Sequence, residues 1–373
     1  MIDRQHVLAA VDRHADTIRA TMRFVHEHPE LGHEEYECSR YLCDTLAGAG
    51  LVVEPGVGGM ETAFRATLRG ERPGRTVGLV CLYDAVTAVR PDGRVEPVHS
   101  CGHGCISGAV VGAALALAEL REGLAGTVVV MGSPADEIHA PGSITRGGGK
   151  SLSAEAGLWD DVGAALYAHP EFIDTVSLES RWMQRATAVV AGSRSLATAD
   201  QPPLEAALAA LETARTHVPD DVMLEQLELD GDVEEGTGLV LRATFLVFAD
   251  EAEGVEKGLG VVREALPEAS WQLGRLVEGV RPDHRVTTAV ASAFRTLGRD
   301  FVPDPPRLPF ATDFGNISRR CPAALIGVGR EGGWSFHTDE GAAQFASPDG
   351  EEAALTIARV LSLAVVDLAE PGR

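Results

Sequence analysis

Strand, loop, helix, strand is the pattern that most narrows what this chain can become, and residues 76–131 carry it. Residues 76–82 and 126–131 are short β-branched runs bounded by Gly and Pro, which predicts strands. Between them, residues 107–120 are rich in Ala and Leu and read as a helix. Residues 62–68 and 163–166 add two further strands. Alternation of this kind predicts an α/β domain built on a mostly parallel sheet. Ligands of such sheets gather on the loops beyond the strands' carboxyl ends. Asp84, Cys101, His103, Asp136, Glu137 and His169 all fall on loops of that type.

A chain of 373 residues exceeds the usual size of one core. The composition changes after residue 183, where a strand (184–192), a helix (203–214), a strand (238–248) and a helix (251–266) hold almost no candidate ligands. That stretch predicts an inserted α+β, ferredoxin-like lid domain. The expected division is therefore 1–183 with 290–373 for the catalytic domain, and 184–289 for the insertion. Residues 5–50 read as helical, with Ile18, Met22 and Val25 and then Tyr41, Leu42 and Leu46 at helical spacing. After the insertion come a helix (283–297), a strand (323–328) and a last helix (349–368).

The formal net charge of −23 is spread along the chain, which argues against nucleic-acid and anionic-membrane partners. No apolar run approaches the roughly 20 residues that span a bilayer. Residues 1–6 carry no basic-then-apolar leader, and six scattered cysteines read as reduced thiols, so a cytoplasmic location is expected.

Four short stretches carry chemistry. His99-Ser100-Cys101-Gly102-His103 puts a thiol and an imidazole one residue apart on a tight turn, where both can reach one small metal ion. Pro134-Ala135-Asp136-Glu137 delivers two carboxylates past a strand, one able to bind metal and one able to move protons. Tyr167-Ala168-His169-Pro170 and Phe336-His337-Thr338 each add an imidazole. Taken singly, each also fits a solvated turn or a structural histidine.

In this order the motifs resemble the M20 family of metallo-aminoacylases and amidohydrolases, in the branch of aminobenzoyl-glutamate hydrolase-like and dipeptidase-like proteins. His28-Pro29-Glu30-Leu31-Gly32, Leu82-Tyr83-Asp84-Ala85, Gly147-Gly148-Gly149-Lys150, Glu155-Ala156-Gly157 and Thr312-Asp313-Phe314-Gly315-Asn316 extend the likeness. The resemblance implies a metallopeptidase catalytic domain whose metal ligands are Cys101, His103, Glu137, His169 and His337. It implies one or two divalent ions, zinc first, with manganese, cobalt or nickel as alternatives. Asp136 takes the position of the catalytic carboxylate, and Asp84, His99, Asp313 and Asn316 stand as candidate substrate-binding or supporting residues. A small-molecule substrate and a homodimer formed through the lid are implied as well.

Three departures from the family pattern stand out. Asp136 replaces the usual Glu, which shortens the carboxylate's reach by about 1.5 Å. Gly104 follows the Cys-Gly-His run where Asp or Asn is common, which predicts a missing polar partner for the ligands. Leu196 and Phe248 stand where the lid would supply His and Arg. The expectation is a metal-dependent hydrolase of a carbon–nitrogen amide bond whose substrate lacks the usual free carboxylate. The alternatives are a metalloenzyme redirected to non-hydrolytic chemistry in specialised metabolism, and a catalytically weak binding or assembly protein.

Overall fold

The computed structural model describes residues 2–192, 202–217, 221–230 and 239–371, arranged as two compact units. The first unit comprises 1–179, 280–307 and 313–373; the second comprises 180–279 and 308–312. The expected insertion, 184–289, thus starts four residues late and runs ten residues past the observed division at 279/280. The excess includes the start of the His284–Thr296 helix, whose apolar face (Val286, Val290, Phe294) is buried in the first unit. The expected boundary falls inside that helix because the strand that closes the second unit, Ser270–Val277, shows no apolar alternation that would mark its end.

The first unit is built on a six-stranded sheet in the order Val52–Pro55, Phe64–Arg69, Ala125–Gly132, Arg72–Cys81, Ala164–Glu171, Ala323–Gly329. The last four strands of that order pair parallel and the first two antiparallel, so the sheet is mixed and mostly parallel. Between the parallel strands runs the His103–Glu119 helix, which is apolar all round and buried along nearly its whole length. It begins four residues earlier than periodicity predicts, directly after Gly102 in the left-handed conformation (φ 87°). His103 therefore sits in its first turn.

Gly104, Gly108 and Gly112 line the face of this helix that meets the Ala15–Glu27 helix. A Cβ at these positions would stand 2.9 Å from Met22 O, 2.6 Å from Ile18 O and 2.2 Å from Ile18 Cγ1. Gly104 is thus a contact point between two helices, with no room for the Asp or Asn that the family pattern suggests.

The second unit is a four-stranded antiparallel sheet in the order Ser270–Val277, Trp182–Gly192, Leu239–Ala249, Val222–Asp230, with helices Pro202–His217 and Ala252–Ala265. Strand, helix, strand, strand, helix, strand is the ferredoxin-like arrangement. Ala188, Ala210, Val222, Ala243, Phe245, Val262 and Leu266 form one of its cores. The two strands not foreseen, Val222–Asp230 and Ser270–Val277, are the sheet's edges. An unforeseen hairpin, Val86–Val89 with Val95–Val98, also separates Asp84 from Cys101.

Candidate metal centre

The four parallel strands end on one side of the sheet, and their continuations bring the polar residues together. Leu82-Tyr83-Asp84 follows Arg72–Cys81, and Ser133 to Glu137 follows Ala125–Gly132. His169 lies inside the Ala164–Glu171 strand, three residues further into regular structure than expected. His337 lies on the segment between the Ala323–Gly329 strand and the Asp339–Phe345 helix, held by its N–H donating to Ser100 O (2.9 Å).

Cys101 is the hub. Its Sγ lies 3.7 Å from His169 Nε2 and 3.4 Å from His337 Nε2. Glu137 Oε2 is 3.7 Å from His337 Nε2, and Glu137 Oε1 is 3.7 Å from His103 Nε2. Two donor groups result, Cys101/His103/His169 and Cys101/Glu137/His337, sharing the thiol. Donors about 2.0–2.3 Å from a tetrahedral ion lie roughly 3.3–3.8 Å from each other. The observed spacings match that requirement.

Tautomers follow from the outer contacts. His103 Nδ1 lies 2.7 Å from Asp84 O and 3.0 Å from Asp84 Oδ1, both acceptors, so Nδ1 carries a proton and Nε2 is the nitrogen that faces the cluster. His169 is arranged alike: Nδ1 is 2.6 Å from Pro170 O and 3.5 Å from Glu171 Oε1. Asp84 also accepts the Glu137 N–H on Oδ2 (2.9 Å), tying the two loops together. The partner whose absence Gly104 suggested is thus supplied to His103 by Asp84. Buried His103 Nε2 and Glu137 Oε1 have no hydrogen-bond partner, which suits atoms that would hold an ion.

The electrostatics agree with a thiolate hub. Burial pushes the Cys101 thiol up, but contacts from His103, His169 and His337 outweigh it and hold the thiol well below its ordinary value. Burial and then the Cys101 charge push the Glu137 carboxyl well above the ordinary range. For His169, burial is overcome by Cys101 and Glu171, which raise it to about 10.

Asp136 belongs to neither donor group but borders them, with Oδ2 3.4 Å from His103 Nε2. The residue before it, Ala135, has φ 57°, and His337 has φ 58°; both are costly for residues with a Cβ and are held from outside. The hold on Ala135 is Glu35, whose Oε1 accepts the Ala135 N–H (2.8 Å) while Oε2 accepts from Thr62 Oγ1 (2.7 Å). Glu35 escapes the sequence reading because His33-Glu34-Glu35 looks like an ordinary solvated acidic run.

The remaining candidates fall in several places. Asp313 is buried beside Lys150 and Ser151. Asn316 is buried in the Phe314–Ser318 helix. His99 lies outside both donor groups, its ring 6.3 Å from that of His26; burial, His103 and His26 lower it to about 3. Its adjacency to Cys101 in sequence does not make it a donor. Phe248, half-buried in the Leu239–Ala249 strand, donates its N–H to Asp221 O (2.7 Å). Leu196 lies outside the described residues.

Comparison with known proteins finds relatives of the chain in sequence and in fold. Thermostable carboxypeptidase 1 of Saccharolobus solfataricus is 33% identical over 160 residues, 41% of this chain and 39% of that protein. A p-aminobenzoyl-glutamate hydrolase chain of Escherichia coli is 33% identical over 156 residues, 39% of this chain and 30% of that protein. The matched segments thus span well under half of either relative's length. A Bacillus subtilis dinuclear metal-binding peptidase has the same fold, with a TM-score of 0.64 at 20% identity, covering 95% of this chain and 99% of that one. The model of Peptidase family M20/M25/M40 matches residues 83–363, from the residue before Asp84 to well into the last helix, and the chain belongs to that family.

Proposed function

We propose that this chain is a metal-dependent hydrolase that cleaves a carbon–nitrogen amide bond in a small molecule. The observation that carries this reading is the pair of donor groups meeting at Cys101, with His103 Nε2 and Glu137 Oε1 buried and without hydrogen-bond partners. Thiolate and imidazole donors favour zinc, with manganese, cobalt and nickel as the alternatives. A thiol shared between two groups suits a pair of ions, in keeping with the dinuclear neighbour.

Cys101, His103, Glu137, His169 and His337 would hold the ions. A divalent ion in such a site polarises an amide carbonyl and acidifies water. Asp136, at the border of the cluster, is placed to take a proton from water and return it to the leaving amine. Asp84 fixes the ring of His103, and Glu35 fixes the backbone that aims Asp136. His337 is the exposed member, its side chain 49% accessible, and marks the side from which a substrate enters.

Phe248 and Leu196, apolar at sequence positions where the family pattern has Arg and His, support a substrate without a free carboxylate. Homodimerisation through the second unit is part of the same reading, supported by Leu227, Leu229 and Leu273 exposed on its edge strands. Among the described residues, no helix is long and apolar enough to cross a membrane.

The test is metal content per chain in protein purified without chelators, with Cys101→Ala and His337→Ala alongside. One or two equivalents, lost in the variants, are expected, followed by hydrolysis within a panel of acylated amines. A chain that takes up no metal would sink the proposal. A strong preference for free α-carboxylate substrates would overturn the assignment of substrate class.

A further inference from the structure

Lys150 is the second residue of the short Gly149–Glu155 helix, and its side chain is completely buried. Its Nζ contacts Asp136 Oδ1, lies 2.8 Å from Asp313 Oδ1, and stands 5.4 Å from the centroid of the Tyr167 ring. Asp313 is itself fixed, since its Oδ2 accepts the Ser151 N–H (3.0 Å). An ordered line therefore runs from the helix backbone through Asp313 and Lys150 to one oxygen of Asp136. The other oxygen, Oδ2, is the one that faces His103 Nε2 at 3.4 Å.

Two further observations say that this line is built. Only two of the chain's 32 basic side chains are Lys, and the other, Lys257, is exposed on the Ala252–Ala265 helix beside Glu253. Against that background of Arg, a Lys in the most enclosed basic position among the described residues fits a point-like ammonium requirement. A planar guanidinium carries five donors, more than two carboxylate oxygens and an aromatic face can satisfy. The second observation is the close approach of the loop and helix. A Cβ at Gly149 would stand 2.1 Å from Pro134 O, and one at Gly148 would stand 2.3 Å from Asp313 Oδ2.

We propose that Lys150 is a positioning residue for Asp136, holding one carboxylate oxygen so that the other is presented to the donor cluster. The proposal rests on Asp136 being the proton carrier of the hydrolase reading. It also gives a reason for the departure at that position: a carboxylate on a stem shorter by about 1.5 Å works from one fixed orientation, supplied by the ammonium.

The scarcity of lysine makes the test direct. The full chain, labelled with ¹³C at lysine Cε, gives two side-chain signals, which Lys257→Arg assigns. Asp136→Asn is expected to shift the Lys150 signal and leave that of Lys257 in place; an unmoved Lys150 signal would overturn the contact. In the metal-loaded enzyme, Lys150→Met is expected to lower kcat about a hundredfold, the cost of roughly an ångström of misplacement, with KM and metal content unchanged. Retained kcat, or a loss confined to metal binding, would overturn the role. Should Lys150→Met fail to fold because Asp313 is left buried and unpaired, Lys150→Met/Asp313→Asn removes that charge and is expected to show the same loss of kcat. If the unaltered chain hydrolyses no amide, the hydrolase reading fails while the lysine signals still decide whether Lys150 holds Asp136.

Discussion

The two units bury different chemistry. In the first, Glu35, Asp84, His103, Glu137, Lys150 and Asp313 are all withdrawn from solvent. In the second, the buried polar side chains among the described residues are those of Ser180, Thr213 and Thr244, set among Ala, Val, Leu and Phe. Buried ionic groups are poor contributors to stability unless each is paired, whereas close-packed apolar side chains stabilise directly. The contrast teaches that the first unit's polar interior is organised around a site, with its stability coming from the sheet and the helices beneath. Among the described residues, the second unit's interior is organised around packing.

Substitutions in each unit can break or sharpen this contrast. The largest expected effect is that of Cys101→Ala, which removes the donor common to both groups. Metal affinity should fall by more than the roughly 100-fold that losing a mere supporting partner can cost, as read by competition with a chromophoric chelator. Next comes Phe245→Ala in the second unit, expected to destabilise by about 3–5 kcal/mol in denaturant titration while metal stoichiometry stays unchanged. Loss of metal in that variant would show that the contrast is false.

Asp84→Asn keeps the shape but removes the charge behind His103, and is expected to weaken metal binding about 10- to 100-fold with the fold intact. The last expected effect is a slope with pH. Burial, and then the charge of Asp84, push the Glu35 carboxyl up to about 8. The folded chain therefore keeps a proton that the unfolded chain releases near 4.5. Glu35's contribution is complete below that value and is lost as pH rises towards 8, by about 1.4 kcal/mol per pH unit at most. Glu35→Gln should flatten the decline in stability between about pH 5 and 8. Parallel curves for the two proteins would show that Glu35 is already ionised in the folded state.

Much of the first unit is legible in the sequence because its strands are continuous apolar runs, and each donor candidate sits in a short motif beside one. The second unit's edge strands are harder. Ser270–Val277 carries Gly274 and Arg275, and most of its side chains face solvent. Val222–Asp230 does alternate Leu with Glu from Leu227 onward, but it ends against a Gly- and Glu-rich stretch that reads as loop. Within the site, the boundary of legibility is burial. Glu35 and Lys150 are charged side chains whose neighbours in sequence give no hint that solvent is excluded; only the fold brings Ala135 to one and Asp136 to the other. Gly104 shows the opposite error, an apparent loss at the site that is a requirement of helix contact.

The discontinuity of the first unit has a consequence for the order in which the protein is made. Its outermost parallel strand, Ala323–Gly329, pairs with Ala164–Glu171 across an intervening unit whose own sheet is contiguous in the chain. On the ribosome the later-encoded sheet can close first, while the earlier half waits for its missing edge. His337 follows Cys101 by 236 positions, an interval of roughly 10–50 s at ordinary elongation rates. For that time the nascent chain carries Cys101 without His337, and any ion that needs both would be captured only late in its synthesis.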